Sequence, residues 1–93
     1  MTTAEIRTRL LARCDAIDGF RSHKAVRYGL YAATQAVRDQ PLHDDPRAWL
    51  EAVLVALATV RERFVDPKDD EGWALGGVAS IRNLVQAELE QLG

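Results

Sequence analysis

The amino-acid sequence predicts an all-α protein: a small antiparallel four-helix bundle, connected up-down-up-down, in which helix three is the most buried. Four segments carry apolar residues at steps of three and four, which is the spacing of one helix face. No stretch alternates apolar and polar residues for more than a few positions, as a half-buried strand would. The segments have similar lengths and short connections, which is typical of antiparallel bundles. A chain of 93 residues has room for one core, so we expect a single helical domain over 1–93, with helices at about 3–18, 22–40, 46–65 and 73–92.

The first segment opens with a capping box. Thr2 is followed three residues later by Glu5, so each side chain can satisfy a free backbone N–H of the other residue. Gly19 then marks the end of the helix, as glycine commonly does. The apolar residues between these two signals form one face and are Ile6, Leu10, Cys14 and Ile17.

The second segment, from about Ser22 to Gln40, carries two stripes that differ in the size of their side chains. Pro41 ends this segment, because proline disfavours a helical residue before it. The apolar stripe consists of Val26, Leu30, Ala33 and Val37. The stripe beside it contains only small residues, which are Ala25, Gly29, Ala32 and Ala36.

The third segment has the clearest start signal in the chain. Asp45 stands at the N-cap position and Pro46 at the first helical position. Trp49, Leu54 and Val55 add apolar surface outside the main stripe, which is typical of a central helix. We expect nearly complete burial of that main stripe, which is Leu50, Val53, Leu57, Val60 and Phe64.

The fourth segment follows an acidic linker. Its best apolar stripe is Leu75, Val78, Val85, Leu89 and Leu92. A second stripe holds small or short polar residues, which are Gly72, Gly76, Ser80, Asn83 and Ala87. Glycine costs about 1 kcal/mol relative to alanine inside a helix, so the start of the regular helix stays open between Trp73 and Val78. The same cost predicts that Gly29 and Gly76 each contact another helix, of this chain or of a second copy, with a positive-φ turn as the alternative at Gly76.

Composition and charge are those of an ordinary globular protein. Hydrophobic residues make up 47% and charged residues 28%, and the formal net charge is −2, so no global charge excess draws the molecule to DNA or membrane. The longest apolar run, 52–58, is far shorter than the ~20 residues that span a bilayer. The N-terminus does not resemble a signal peptide, and a single cysteine fits a reducing compartment. We therefore expect a cytoplasmic protein with no membrane partner.

Most catalytic and metal-binding signatures are missing. Neither His23 nor His43 follows a glutamate by three residues, which is the pattern of helical di-metal sites. Cys14 lies on an apolar helix face and is expected to be a small buried hydrophobe, not a nucleophile. Two acidic clusters, 43–45 and 66–71, fall at opposite ends of the predicted bundle and are interpreted as helix caps and solvated loop. We predict that the chain is not an enzyme and has no catalytic residue, cofactor or metal ion.

Helix two carries the most distinctive polar pattern. Cationic and aromatic residues recur along one face at steps of three and four, with Gln35 among them. This combination suits a phosphate backbone, a stacked base or a protein interface. The competing interpretation pairs these cations with the acidic residues of 66–71 at the same end of the bundle. The candidate partner-binding residues are Lys24, Arg27, Tyr28, Tyr31, Arg38 and, on the fourth segment, Trp73.

These observations lead to three hypotheses for function. The first is a non-enzymatic helical interaction module that self-associates as a homodimer or acts as a small subunit or regulator of a larger assembly. The alternative is a nucleic-acid-associated helical protein that uses the basic and aromatic face of helix two. The third is a ligand binder or enzyme with a pocket between helices, in which His23 or His43 titrates near neutral pH.

Overall fold

The computed structural model describes residues 1–17, 24–64 and 73–92, and of Trp73 only the backbone. These residues form four α-helices and no strand, so the all-α prediction is confirmed. Each helix lies inside the segment predicted for it. In these ranges no helix combines the length and the apolar character needed to cross a bilayer. The helices are Thr3–Asp15 (α1), Lys24–Asp39 (α2), Pro46–Arg63 (α3) and Trp73–Gln91 (α4).

The starts of α1 and α3 are fixed by the caps that the sequence predicts. Thr2 Oγ1 accepts a hydrogen bond from the Glu5 backbone N–H at 3.2 Å, and the Glu5 carboxylate accepts from the Thr2 backbone N–H. The Asp45 carboxylate caps α3 by accepting from the Arg47 N–H at 3.1 Å. Trp49, which is fully buried, donates its indole N–H to the carbonyl of Gln40 at 3.3 Å. This bond ties the end of α2 to the first turn of α3.

The core is built from one face of each helix. On α3 four of the five stripe residues are buried and Phe64 is half-buried against them, so the predicted phase of α3 is correct. Val55, on the opposite side of α3, is 69% exposed. The largest fully buried side chains are Trp49, Ile6, Leu10, Leu50, Leu57, Ile81, Glu88, Val37, Val53 and Val85.

Helices α2 and α4 make the most extensive helix–helix contact, and glycine lets their backbones meet. A Cβ atom on Gly29 would overlap the carbonyl oxygen of Ala74 and lie 2.9 Å from its carbonyl carbon. A Cβ atom on Gly77 would lie 2.7 Å from the carbonyl oxygen of Val26. Side chains essentially never approach backbone atoms so closely, so any other residue must push the helices apart. The predicted contact of Gly29 with another helix is confirmed, and that helix belongs to the same chain.

The inward face of α4 differs from the predicted one. Gly76 lies inside α4 at an exposed position, has no positive φ, and would place a Cβ atom in open space. Its predicted contact with another helix is therefore wrong, and Gly77 makes the close approach instead. Of the predicted apolar stripe, Val78 and Val85 are buried as expected, whereas Leu92 is 41% exposed. The buried residues of α4 are Ala74, Gly77, Val78, Ile81, Val85 and Glu88.

A buried ion pair joins α1 to α4. Glu88 Oε1 accepts hydrogen bonds from Arg9 Nε at 3.1 Å and from Arg13 Nη1 at 3.3 Å, while Arg9 Nη2 donates to Oε2. Glu88 is 1% exposed, whereas the two arginine side chains keep about 40% of their surface in solvent. The hydrogen bond to Glu88 raises the pKa of Arg9. The carboxylate thus fills a core position because two cations reach it from the edge of the neighbouring helix.

Replacing both arginines should destabilise the protein, because the buried charge of Glu88 then has no partner. We expect Arg9→Met with Arg13→Met to lower the melting temperature by roughly 10 °C, because the carboxylate of Glu88 keeps its burial and loses its partners. Circular dichroism melts at neutral pH measure the shift. Adding Glu88→Leu should restore the melting temperature to at least the wild-type value, since an apolar residue of similar volume can replace a buried ion pair. A triple variant as unstable as the double variant would contradict this explanation.

Candidate partner-binding surface

The outward side of α2 presents the cations and aromatics predicted for partner binding. Tyr28 is 56% exposed and Tyr31 is 66% exposed, so two aromatic rings lie near each other at the surface of one helix. The three cations beside them are also exposed. We define the α2 basic-aromatic face by five residues, Lys24, Arg27, Tyr28, Tyr31 and Arg38.

The amphipathic pattern of α2 places this face in solvent. Its buried residues, including Gly29 and Ala33, lie toward the other helices, and the cations and tyrosines occupy the opposite, exposed side. Lys24 Nζ lies 5.8 Å from the centroid of the Tyr28 ring, a cation–π distance. At an exposed site such a contact contributes about 0.5–1 kcal/mol. It holds the tyrosine ring beside the charge while more than half of the side chain stays exposed.

Hydrogen bonds between side chains connect the second half of the face. Gln35 Nε2 donates to the Tyr31 hydroxyl at 3.1 Å, and Arg38 Nη1 donates to Gln35 Oε1 at 3.4 Å. These residues are one helical turn apart, so the bonds follow the helix axis. The bonds limit the rotamers of Tyr31 and Arg38, which lowers the entropy that a partner must remove on binding.

A cleft of about 350 Å³ opens between the end of α1 and this face. Its lining combines the apolar side chain of Leu30 and the thiol of Cys14 with polar groups at the edge. Thr34 hydrogen-bonds Cys14, and neither residue was predicted to belong to the site. The approach of α1 to α2 creates the cleft, and periodicity within one helix carries no signal for it. The remaining lining residues are Asp15, Arg27, Tyr31, Gln35 and Arg38.

Cys14 is a buried thiol, as the sequence predicts. Burial raises its pKa from 9.0 to about 11, against the opposing effect of the hydrogen bond with Thr34. Below pH 9 the thiol is therefore almost entirely protonated, and the protonated form is a poor nucleophile.

This pKa predicts slow thiol chemistry. At pH 8 we expect Cys14 of the folded protein to react with an aromatic disulfide reagent at least about tenfold more slowly than in the denatured chain. Because the folded pKa lies above the unfolded one, the contribution of this thiol to stability should be constant below pH 9 and should be lost between pH 9 and about 11. A Cys14→Ala, Thr59→Cys variant, which moves the thiol to an exposed position, is the control. Equal rates for the two thiols would contradict the assignment.

Several other predicted features fall outside the described residues. These are His23, the acidic residues of 66–71 that could pair with α2, and the side chain of Trp73. The structure does describe His43, whose Nδ1 accepts a hydrogen bond from the Asp45 N–H at 2.9 Å beside the α3 cap. The ring of His43 therefore lies in the turn before α3 and is not part of the α2 basic-aromatic face.

No group of three histidine, cysteine or acidic residues suited to a metal ion occurs within 1–17, 24–64 and 73–92. No protein-family model, curated protein or solved structure matches the chain. The chemistry of the α2 basic-aromatic face and its cleft is therefore the basis on which a function can be assigned.

Proposed function

We propose that this protein is a non-enzymatic helical interaction module, a homodimer or a small subunit or regulator of a larger assembly, and that it binds a protein partner through the α2 basic-aromatic face. The observation that carries this proposal is the pair of tyrosines, each more than half exposed, among three exposed cations. Tyrosine and arginine are among the residues that are enriched at the energetic hot spots of protein interfaces.

The geometry beside the tyrosines suits a protein partner. Tyr31 and Arg38 are already held by Gln35, so the face is partly ordered before a partner arrives. The cleft next to them is large enough to receive one or two side chains of a partner, and its floor is apolar at Leu30. Interface hot spots are enriched in tyrosine and arginine and lie in pockets that the partner fills and desolvates.

A photo-cross-linking amino acid placed on this face tests the proposal in cells. We expect cross-links to one discrete partner when it replaces Tyr31, and none when it replaces Val55 on α3. The two positions are matched, because their side chains are 66% and 69% exposed. Arg27→Glu should remove the cross-link from position 31, since it reverses charge inside the face. Equal cross-linking from both positions would contradict the proposal.

Self-association is tested with the purified chain. If the partner is a second copy, sedimentation should give the mass of a dimer, and Tyr28→Ala with Tyr31→Ala should return the mass to that of the monomer. Gly76→Ala, outside the face, is the control. A monomer at every concentration would assign the face to a different protein.

Nucleic acid is the second candidate for the same face. Lys24, Arg27 and Arg38 could neutralise phosphates while Tyr28 and Tyr31 stack on bases, which is the recognition mode of single-stranded nucleic acid. Affinity for an oligonucleotide should then fall steeply with salt, and Arg27→Glu with Arg38→Glu should abolish it. Fluorescence anisotropy at low and physiological salt measures both effects. Binding that ignores salt, or none at low salt, would exclude this candidate.

We also propose that the helices form one domain of up-down-up-down connectivity in which α3 is the most buried. The Thr3 hydroxyl donates to the Asp44 carbonyl at 3.4 Å, a contact expected if α1 and α3 start at the same end. The contact between Gly29 and Ala74 is expected if α2 and α4 both start at the opposite end. Amide hydrogen exchange should be slowest in α3. Slower exchange in α4 than in α3 would contradict the proposal that α3 is the most buried helix. The support for α3 is its set of fully buried large side chains, Trp49, Leu50, Val53 and Leu57.

We assign the module to the cytoplasm. Cys14 is the only cysteine of the chain and is a free thiol, which suits a reducing compartment. Cell fractionation should recover the protein with soluble cytoplasmic markers, and recovery with secreted or membrane markers would contradict the assignment.

A further inference from the structure

A second cleft, away from the α2 basic-aromatic face, opens between α3 and α4. It has a volume of about 450 Å³, which lies in the range of small-ligand sites. Leu57 and Val78, both almost fully buried, form its floor. The walls are mostly aliphatic side chains that are half-buried or exposed to solvent. They are Leu54 and Ala58 on α3 and Leu75 and Ala79 on α4.

Gly76 lies in the lining of this cleft and widens it. Unlike Gly29 and Gly77, it has no neighbouring backbone that would exclude a side chain, because a Cβ atom at this position would meet nothing within 4 Å. Packing within the chain therefore does not account for a glycine here, although glycine is the poorest helix former after proline. Its effect is to leave space in the cleft that a side chain would fill.

The polar side chains that line this cleft are cationic or neutral. Arg61 on α3 and Arg82 on α4 lie on its two walls, and both are exposed. Neither forms an ion pair with any residue in the described part of the chain. Gln86 adds an amide, and no acidic side chain lines the cleft. An apolar recess between two guanidinium groups that have no acidic partner among the described residues has the complementary chemistry of an apolar molecule with one anionic end.

We propose that the α3–α4 cleft binds a small amphiphilic carboxylate of the medium-chain fatty-acid class. The hydrocarbon chain covers Leu57 and Val78, where it removes apolar surface from water. The carboxylate lies at the rim and accepts charge-assisted hydrogen bonds from Arg61 or Arg82. This site is independent of partner binding on α2, because the two surfaces share no residue.

Decanoate and decanol, titrated separately into the full-length protein by calorimetry below their aggregation concentrations, test the site. We expect decanoate to bind with one-to-one stoichiometry and decanol to bind about tenfold more weakly, since it lacks the charge. Arg61→Gln with Arg82→Gln should reduce the affinity for decanoate about tenfold and leave that for decanol unchanged. Arg47→Gln, an exposed arginine of α3 outside the cleft, should change neither affinity.

Filling the cleft tests the apolar half of the site. Gly76→Phe should weaken both ligands at least about tenfold, because the ring occupies the space that the hydrocarbon chain would take. Ala58→Phe should block the cleft from the opposite helix. Val55→Phe adds the same ring outside the cleft and should leave both affinities unchanged. A melting temperature near the wild-type value shows that each variant is folded.

Three results would overturn the proposal. The first is no saturable binding of decanoate, and the second is equal affinity for decanoate and decanol. The third is a fall in molecular mass caused by Gly76→Phe without ligand, because it would assign the cleft to a second copy of the chain. None of these results bears on cross-linking from position 31, so failure here and failure of the proposed function are separable.

Discussion

A leucine in place of Gly29 should leave little folded protein at room temperature. The Cβ atom alone would overlap the carbonyl oxygen of Ala74, so the clash begins before the rest of the side chain is considered. The atom opposite is backbone, and it can move only if α4 moves away from α2. Overpacking costs about 1–3 kcal/mol where side chains can adjust, and a contact with backbone should exceed that range. A domain of this size has only about 5–10 kcal/mol of stability to lose.

Urea denaturation and circular dichroism at several protein concentrations measure this effect. Because the contact lies within one chain, stability should fall equally at every concentration. Gly76→Leu is the matched control, since it introduces the same residue into α4 at a position where a Cβ atom meets nothing. Gly76→Ala should stabilise the protein by up to ~1 kcal/mol. If Gly29→Leu kept the wild-type melting temperature, the close approach of α2 and α4 would be incorrect.

Leu57→Ala should destabilise the protein by about 2–5 kcal/mol. Leu57 is 1% exposed and is surrounded by the buried faces of α3 and α4, so its removal leaves a cavity that the backbone cannot readily fill. Chemical denaturation measures the free energy of unfolding, and an unchanged slope against denaturant would show that the native state is otherwise intact.

Val55→Ala is the control for this prediction. Val55 lies on the same helix and is 69% exposed, so its truncation should change stability by less than about 0.5 kcal/mol. Similar losses at positions 55 and 57 would mean that the rotation of α3 about its axis is wrong.

Local signals predicted the beginning of α3 and the phase of its buried face. Asp45 and Pro46 mark the N-terminus through interactions within one turn, and the apolar steps from Leu50 onward allow one rotation. On α4 the same reasoning was only partly right. Apolar and small residues there fit more than one stripe, and the correct stripe includes Glu88, which a hydrophobic pattern rejects. Its partners, Arg9 and Arg13, come from the other end of the chain.

For the candidate surface, too, one part could be predicted from the sequence and another part could not. The exposure of Tyr28 and Tyr31 could be expected, because both lie away from the buried stripe of α2. The cleft beside them could not, since it depends on how closely α1 approaches α2 at Cys14 and Thr34. A glycine in a helical sequence likewise indicates a close approach without indicating which helix is approached. Two adjacent glycines do not show which of them makes the contact, and Gly77 makes the one that was predicted for Gly76.

The hydrogen bond from Trp49 to Gln40 has a consequence for the order of folding. It joins residues only 9 positions apart, so the turn between α2 and α3 closes a short loop at small entropic cost. The contact of Gly29 with Ala74 closes a far longer loop and tolerates no error in register, because backbone meets backbone. The α2–α3 hairpin should therefore form early and α4 should dock late. Substitutions at Gly29 would then act mainly by speeding unfolding, whereas loss of the Trp49 indole would slow folding.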